Sequence, residues 1–300
     1  MSRSSAMADQ VALLRSGRSQ DPHSILGLHR TGDGGTVLIW RPGVPGLMGR
    51  IGGERFSFHP LEEDSEFQLA TLNRQQIAAA EELARSGLPP FQLEHESAEG
   101  VESVPADPYS LSPTLGPQDL HLLAEGSDRN LYRHLGANHR VHQGVEGTAF
   151  AVWAPNALGV RVVGPFCGWD SPTLPMRNLA SSGIWEIFVP GVETGTLYKY
   201  WILRADGSWV YKADPVGRRM ELPPRTASVV AAPLVRAGGE WRRARDSSQP
   251  LRSPISVYEV HLGSWRRRED GSPPTYRELG EELGDYARDL GFTHVELMPV

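Results

Sequence analysis

A glutamate and a histidine in the stretch "YEVHLGSW" are of the types that carry out acid–base chemistry. Glu259 and His261 lie two residues apart in a predicted strand, so their side chains point to the same side of it. They lie near the carboxyl end of the strand, where enzymes built on parallel strands place their active sites. Glycoside chemistry needs two carboxylates, and one glutamate supplies only one. We therefore interpret both residues as positioning the loop that follows the strand.

Histidines gather near the middle of the chain without forming a recognisable site. Their spacing does not match a metal-binding pair on one helix face, so we interpret them as parts of polar loops; they are His121, His134, His139 and His142. The sequence has no Gly-rich phosphate loop and no Gly-x-Ser-x-Gly motif. We predict no catalytic residue, no metal ligand and no cofactor within these residues.

Three side chains between positions 169 and 209 suggest a binding surface instead. Trp169 in "FCGWD", Lys199 in "LYKYW" and Trp209 in "ADGSW" are predicted to form an exposed platform. The flat apolar face of a sugar stacks on indole, and a lysine can bond hydroxyl groups. Three other tryptophans occur in alternating strands and are predicted to lie in the core, namely Trp153, Trp185 and Trp201.

Composition limits the class of protein. The 300 residues include 32 Gly and 24 Pro, which favours short strands and turns in two or three domains. The net charge is -6 and the basic residues are dispersed, so neither nucleic-acid nor membrane binding is expected. The single cysteine, Cys167, fits a reducing cytoplasm. Residues 1–20 contain only a brief apolar group, too short for a signal peptide, and are predicted to be a flexible leader.

Two stretches of the chain resemble each other. "ILGLHRTGDGGTVLIWRPGV" and "HLGANHRVHQGVEGTAFAVWAPNA" both run from Leu-Gly through a His-containing turn to Trp-x-Pro, and each is followed at a similar distance by Asp-Pro. Matching landmarks in the same order predict tandem related domains. The alternating strands of the second copy are typical of an antiparallel immunoglobulin-like sandwich. The first copy also contains a predicted helix in "NRQQIAAAEELARSG". We predict β domains at 21–115 and 116–235, followed by a linker at 236–253.

The last segment, 254–300, follows a different pattern. "ISVYEV" predicts a strand, and Thr275 and Glu278 have the spacing of a helix capping box. One helix face is predicted to carry Leu279, Leu283, Tyr286 and Leu290, and Gly291 ends the helix. "GFTHVELMPV" then predicts a buried second strand. Strand, helix and strand predict a parallel βαβ unit, which we interpret as the start of a truncated (β/α)₈ barrel.

These motifs together resemble a known family. "ISVYEVHLGSWRR", "FAVWAPNALGVRVVGPFCGWD", "DPHSILGLH" and "VLIWRPG" are similar to the N-terminal part of bacterial glycogen (1,4-α-glucan) branching enzymes of the α-amylase superfamily. The resemblance implies an N-terminal β domain, a family-48-type carbohydrate-binding module and the start of a catalytic barrel. It implies an enzyme that cuts an α-1,4-glucan and transfers the piece to a 6-hydroxyl by retaining double displacement. Its partner would be α-glucan, and it would need no metal or organic cofactor. The catalytic residues would lie beyond Val300, so residues 1–300 alone would be inactive.

The resemblance also bears on the binding platform. Related glycogen-binding modules hold glucan through two tryptophans and a lysine, which match Trp169, Lys199 and Trp209 in order. The usual "GDFNxWD" is "GPFCGWD" here, with Pro165 for Asp and Cys167 for Asn, and such modules can instead pack against the barrel. Two alternatives stay open: an α-glucan-binding protein without catalysis, and another amylase relative such as a trehalose-forming hydrolase.

Overall fold

The protein consists of two compact units, residues 1–233 and residues 234–300. The computed structural model describes residues 3–44, 46–62, 64–97, 100–232, 238–247 and 252–298. The first unit is mainly β, with four antiparallel sheets among its described residues. Within the described ranges, no helix combines the length and the apolar character that crossing a membrane requires.

The first part of unit 1 begins with a helix and then builds two sheets. Its elements are α1 (Arg3–Ser16), β1 (Gly27–Thr31), β2 (Gly34–Trp40), β3 (Leu47–Ile51), β4 (Glu54–Ser57), β5 (His59–Pro60), β6 (Phe67–Leu72), α2 (Arg74–Arg85), β7 (Gln92–Ser97) and β8 (Gly100–Val104). The strand orders are β1-β2-β6-β5 and β4-β3-β7-β8. Val37 and Ala70 of the first sheet share a core with Leu47 and Leu93 of the second. The alternating pattern of these strands therefore buries one face of each sheet.

Helix α2 confirms a prediction made from residue types. Asn73 caps it in a capping box with Gln76, whose side chain accepts a hydrogen bond from the Asn73 backbone amide. Ile77 and Ala80 are buried against the sheets. The helix formers of this segment and the terminal Gly87 were enough to identify the element.

The second part of unit 1 is a two-sheet sandwich. Its elements are α3 (Pro117–Glu125), α4 (Leu131–His134), β9 (Gly136–His142), β10 (Val145–Trp153), β11 (Gly159–Val163), β12 (Arg177–Asn178), β13 (Ile184–Pro190), β14 (Leu197–Leu203), β15 (Trp209–Lys212) and β16 (Ser228–Val229). The strand orders are β12-β13-β10-β9 and β11-β14-β15, with β16 also pairing with β14. Phe150 and Trp185 of the first sheet share a core with Val162 and Tyr200 of the second. Helix α3 is an element that the sequence analysis missed.

Helix α1 corrects the prediction of a flexible leader. Val11 and Leu14 are buried, and they belong to the same core as Trp40, Phe150 and Trp185. The apolar group that is too short for a signal peptide is long enough to form one helical face. Burial of that face stabilises the helix, since a short helix gains most of its stability from packing.

The helix ends in a glycine C-cap. The Gly17 amide donates to the Leu14 carbonyl at 3.0 Å and the Arg18 amide donates to the Leu13 carbonyl at 3.3 Å, the pattern of a Schellman motif. Gly17 has φ +70°, which suits glycine. The backbone therefore turns sharply at this point.

A histidine without hydrogen-bonded ring nitrogens lies where the two parts of unit 1 meet. Both ring nitrogens of His23 are buried and have no hydrogen-bond partner within the described structure, and the ring lies edge-on to Tyr109 with centroids 5.0 Å apart. Burial, and then the positive charge of Arg177 and the nearby His29, hold the pKa of His23 well below 6.5, although a contact with the Pro108 backbone acts in the opposite direction. The folded protein therefore keeps this imidazole neutral.

We expect His23 to make the protein less stable in mild acid. The unfolded chain takes up a proton near pH 6.5 and the folded protein does not, so the free energy of unfolding decreases as pH falls below 6.5. The slope from this residue approaches about 1.4 kcal/mol per pH unit. When the free energy of unfolding is measured with urea at several pH values between about 5 and 8, it should change less steeply with pH in His23→Gln than in the unchanged protein. An identical slope in both proteins would contradict this role.

The second unit contains a parallel strand pair. Its elements are α5 (Gly239–Ser247), β17 (Val257–Val260), α6 (Leu262–Trp265), α7 (Tyr276–Asp289) and β18 (His294–Leu297). β17 and β18 are parallel and in register from Val257 opposite His294 to Val260 opposite Leu297. The predicted strand–helix–strand order is therefore present. The predicted linker, 236–253, contains a helix in its described part, α5.

Helix α7 agrees with most of the predicted pattern. The Thr275 side chain accepts from the Glu278 amide, and the Glu278 side chain accepts from the Thr275 amide. Leu279 and Leu283 are buried as predicted, but Leu290 is exposed and Ala287 takes the next buried position. Leu290 is already the C-cap, so it has left the helical face.

The prediction of a buried second strand is wrong for the described residues. Val295 is 39% exposed and Leu297 is 50% exposed. The aromatic ring of Tyr286 on α7 packs against Tyr258 of β17, and Val260 of β17 joins the core that Leu279 and Leu283 form. Helix α7 therefore covers β17 more fully than β18. Val300 lies outside the described residues.

Candidate functional site

The candidate site lies on one face of the sheet β11-β14-β15. Alternation along these strands turns Val160, Val162, Tyr198 and Tyr200 into the sandwich core. The residues between them share the opposite face, and we call this set the aromatic face: Arg161, Lys199, Trp201, Trp209 and Tyr211. Lys199 and Trp209, two of the predicted binding residues, therefore share one surface.

The aromatic rings of this face form a connected series. Trp201 and Tyr211 are directly opposite each other on β14 and β15, with centroids 5.3 Å apart and an angle of 8° between the planes. Trp209 lies 4.8 Å from Trp201 at 44°. Such cross-strand aromatic pairs stabilise a sheet edge, and here they place three aromatic rings next to one another on one face of the sheet.

Trp169 lies in a tight turn after β11. Pro165 begins a short 3-10 turn, and both Gly168 and Trp169 then have φ of 71°. The Trp169 amide donates to the Gly164 carbonyl at 3.0 Å. A left-handed backbone is uncommon for a bulky residue, so the turn holds Trp169 in a specific orientation. The indole is half-buried.

Cys167 is part of the same turn. Its thiol donates to the Gly164 carbonyl at 3.5 Å, and burial raises the pKa of the thiol. Cys167 and Pro165 are the two residues by which this turn departs from the usual motif. Both residues help to form the turn: Pro165 is its first residue, and the Cys167 thiol is hydrogen-bonded to the turn backbone.

Lys199 is half-buried and is held in place by a hydroxyl. Its Nζ donates to the Thr226 Oγ1 at 2.8 Å. Lys199 is directly opposite Val163 of β11, the last residue before the turn that holds Trp169. The ammonium group has further donors available for a ligand.

Trp209 is half-buried because other groups lie on it. The Arg161 guanidinium lies 4.4 Å from the centre of its ring. A Cβ added to Gly17 would lie 2.4 Å from Trp209 Cζ2, so the backbone at Gly17 packs directly on the indole. The predicted exposure of Trp209 is therefore only partial.

Arg161 connects the aromatic face to helix α1. It is 3% exposed, and its Nη2 donates to the Arg15 carbonyl at 2.9 Å and to the Leu14 carbonyl at 3.3 Å. These carbonyls belong to the last turn of α1, where a cation is favourable. Burial lowers the pKa of Arg161 to about 10, which leaves it charged at neutral pH. Arg161 and Tyr211 are the members of this face that the sequence analysis missed, although strict alternation in "GVRVV" and "SWVYK" could have identified them.

Two of the three predicted core tryptophans are not in the core. Trp185 is fully buried as predicted, but Trp153 is 63% exposed. Trp153 ends β10, and its neighbour Val152 takes the core-facing position, so the indole points to the other face. Trp201 is half-buried on the aromatic face, because its neighbour Tyr200 points into the core.

The acid–base candidates do not form a site among the described residues. Glu259 is exposed and is directly opposite Glu296, also exposed, on the neighbouring strand. The ring of His261 shares a hydrogen bond of 2.8 Å with Ser264 of α6. His134 bonds Asp128 at 2.6 Å. Across the part of the chain that the structure describes, no group of three or more His, Cys, Asp or Glu side chains could hold a metal ion.

Two protein-family models match unit 1. Residues 7–109 match the alpha-1,4-glucan branching enzyme GlgB, N-terminal domain. Residues 134–217 match Carbohydrate-binding module 48 (Isoamylase N-terminal domain), an interval that includes Trp169, Lys199, Trp209 and Tyr211.

Curated relatives extend the match to unit 2. The chain is 45% identical over 294 residues to 1,4-alpha-glucan branching enzyme GlgB 1 of Streptomyces coelicolor, which covers 98% of this chain and 35% of that protein. It is 44% identical over 295 residues to GlgB of Nocardia farcinica, covering 97% and 37%. It is 43% identical over 299 residues to GlgB of Burkholderia thailandensis, covering 97% of this chain and 34% of that protein. The chain thus spans little more than a third of the length of these relatives. Over nearly all of its own length, it is similar to the N-terminal region of glycogen branching enzymes of the GlgB type.

Proposed function

We propose that this chain is the N-terminal part of a 1,4-α-glucan branching enzyme, which cuts an α-1,4-linked glucan and joins the released piece to a 6-hydroxyl as an α-1,6 branch. The observation that carries the proposal is the combination of a GlgB N-terminal domain, a carbohydrate-binding module 48 and 45% identity to a branching enzyme over 98% of the chain. A glucan-binding module alone would not require the additional similarity of residues 254–300.

The proposed reaction keeps the α configuration through two displacements. A carboxylate of the enzyme attacks C1, and a carboxylic acid protonates the departing 4-oxygen. The resulting carboxylate then takes the proton of the acceptor 6-hydroxyl as that oxygen attacks C1 and releases the first carboxylate. We assign these carboxylates to the two thirds of the relatives that this chain does not span. No metal or organic cofactor takes part.

We infer that unit 2 begins a (β/α)₈ barrel. The parallel pairing of β17 and β18 and the capped helix α7 between them support this assignment. Val257, Glu259 and Glu296 lie on the face of the pair opposite to that of Tyr258, against which α7 packs, and they are exposed among the described residues. In a barrel that face points inward, where further strands would cover it. We likewise infer that the first β part, from 21 to 115, is an immunoglobulin-like sandwich.

The proposed role of unit 1 is to hold and position glucan. The aromatic face carries apolar rings and the Lys199 ammonium, and the turn that holds Trp169 follows Val163, the residue opposite Lys199. We propose Trp169, Lys199 and Trp209 as glucan contacts on this surface. A cytoplasmic location agrees with the single cysteine, Cys167.

Linkage analysis tests the proposed activity. The 300-residue chain and the natural protein at the length of the curated relatives would each be incubated with amylose. We expect the long protein to decrease iodine staining and to form α-1,6 linkages, detected by proton NMR, and the short chain to form none. Release of small sugars alone by the long protein would favour a hydrolytic amylase relative. Binding without any change in linkages would favour a glucan-binding protein that has no catalytic activity.

A further inference from the structure

Tyr211 has the most accessible ring in the aromatic series. It is 45% exposed, whereas Trp201 and Trp209 are half-buried. Its strand, β15, is the last strand of the order β11-β14-β15 in the described structure. Trp201 stacks on one side of the Tyr211 ring with planes only 8° from parallel, so the exposed area of the ring belongs to the other side and to its edge.

Polar residues lie near this ring. Asp170, at the end of the Trp169 turn, and Cys167 lie close enough to the Tyr211 phenol to act on it. Burial first, and then these two groups, raise the pKa of Tyr211, so the phenol stays neutral and keeps its hydrogen-bond donor. Lys199 is two residues before Trp201 on the same face of β14.

Trp209 is less accessible to a ligand than Tyr211. The Arg161 guanidinium and the Gly17 backbone both lie against its indole. A sugar that stacked fully on Trp209 would have to displace one of them, and Arg161 is also bonded to two carbonyls of α1. The open end of the aromatic series is therefore at Tyr211.

We propose that Tyr211 is a sugar-stacking position, where one glucose unit of a linear α-glucan lies on the free side of the tyrosine ring. Asp170 and Lys199 supply hydrogen-bond partners for its hydroxyl groups. Trp201 fixes the plane of the Tyr211 ring, so little side-chain entropy is lost on binding. The inference rests on the proposed glucan-binding role of unit 1 and adds to it a residue outside the set Trp169, Lys199 and Trp209.

Titration calorimetry with maltoheptaose tests the proposal on the 300-residue chain. We expect Tyr211→Ala to weaken binding about tenfold and Tyr211→Phe, which keeps the ring, to change it less than about threefold. Tyr132→Ala is the matched control, because Tyr132 is also 45% exposed in the same unit, and it should bind as the unchanged chain does. Thermal unfolding of each variant would verify that it is folded. Cellohexaose, whose linkages are β-1,4, should not bind.

A Trp169→Ala variant separates the possible failures. If Trp169→Ala weakens binding and Tyr211→Ala does not, the Tyr211 inference is wrong and the proposed glucan surface stands. If neither variant changes the affinity, both the inference and the proposed surface are wrong. Failure of the unchanged chain to bind maltoheptaose would also overturn the inference. The branching activity is decided separately by the formation of α-1,6 linkages.

Discussion

Replacing Arg177 with methionine is expected to lower the free energy of unfolding by about 3–5 kcal/mol, the usual cost of breaking a buried ion pair from one side. Glu186 is fully buried, and its Oε2 accepts from Arg177 Nε at 2.9 Å. Its Oε1 accepts from the amide and hydroxyl of Thr114, at 3.1 Å and 2.7 Å. Methionine fills a similar volume but removes the cation that is bonded to the carboxylate, and leaves only the charge of Arg140 nearby. Urea unfolding at neutral pH measures the loss.

Two further variants show whether burial is the cause. Arg30→Met breaks the ion pair with Glu81, whose side chains are 62% and 41% exposed, and should cost less than about 1 kcal/mol. In the double variant Arg177→Met with Glu186→Gln the buried charge is absent, while an oxygen remains for Thr114, so we expect much of the lost stability to return. Equal losses for Arg177→Met and Arg30→Met would contradict the explanation.

Replacing Gly17 with alanine is expected to destabilise the protein by about 2–4 kcal/mol. Gly17 has φ +70°, and its new Cβ would lie 2.4 Å from Trp209 Cζ2. The clash cannot be relieved by moving Trp209 alone, because Trp201 and Arg161 pack against the same indole. Thermal unfolding and urea unfolding would measure the loss.

Gly126→Ala separates backbone strain from the clash. Gly126 ends α3 with φ +69° and the same hydrogen-bond pattern, but nothing lies within 4 Å of an added Cβ. We expect this variant to cost only about 1 kcal/mol. In Gly17→Ala combined with Trp209→Leu, the smaller side chain should reduce the penalty of the glycine substitution. If Gly17→Ala and Gly126→Ala cost the same, the close contact with Trp209 is not important for stability.

The sequence predicted those helices and strands whose caps, periodicity and flanking residues all lie within one short segment. Thr275 was identifiable as a cap because capping depends on residues three positions apart. Alternation identified the strands of the second β part, and the order strand, helix, strand predicted the parallel pair β17 and β18. These features depend on residue type and spacing, which the sequence states directly.

Features that depend on distant partners were not predictable in the same way. The leader is a docked helix because Leu14 reaches a core formed by strands far along the chain. Trp153 and Trp201 were assigned to the core because a tryptophan in a strand is usually buried, but a shift of one position places a side chain on the other face. The partial cover of Trp209 depends on Gly17, which lies in another segment altogether.

The contact between Arg161 and the end of α1 joins residues 147 positions apart in the chain. Along the chain, strands β1 to β8 of the first β part come between α1 and the segment that carries Thr114. Both α1 and that segment are bonded to the second β part, through Arg161 and through Glu186. These hydrogen bonds tie the first β part to its neighbour before its first strand and after its last one, in addition to the core that Trp40 shares with Phe150 and Trp185. A domain that is joined to its neighbour by one covalent linker alone can rotate about that linker. Contacts at both ends and a shared core oppose that rotation, in agreement with the single compact unit that residues 1–233 form.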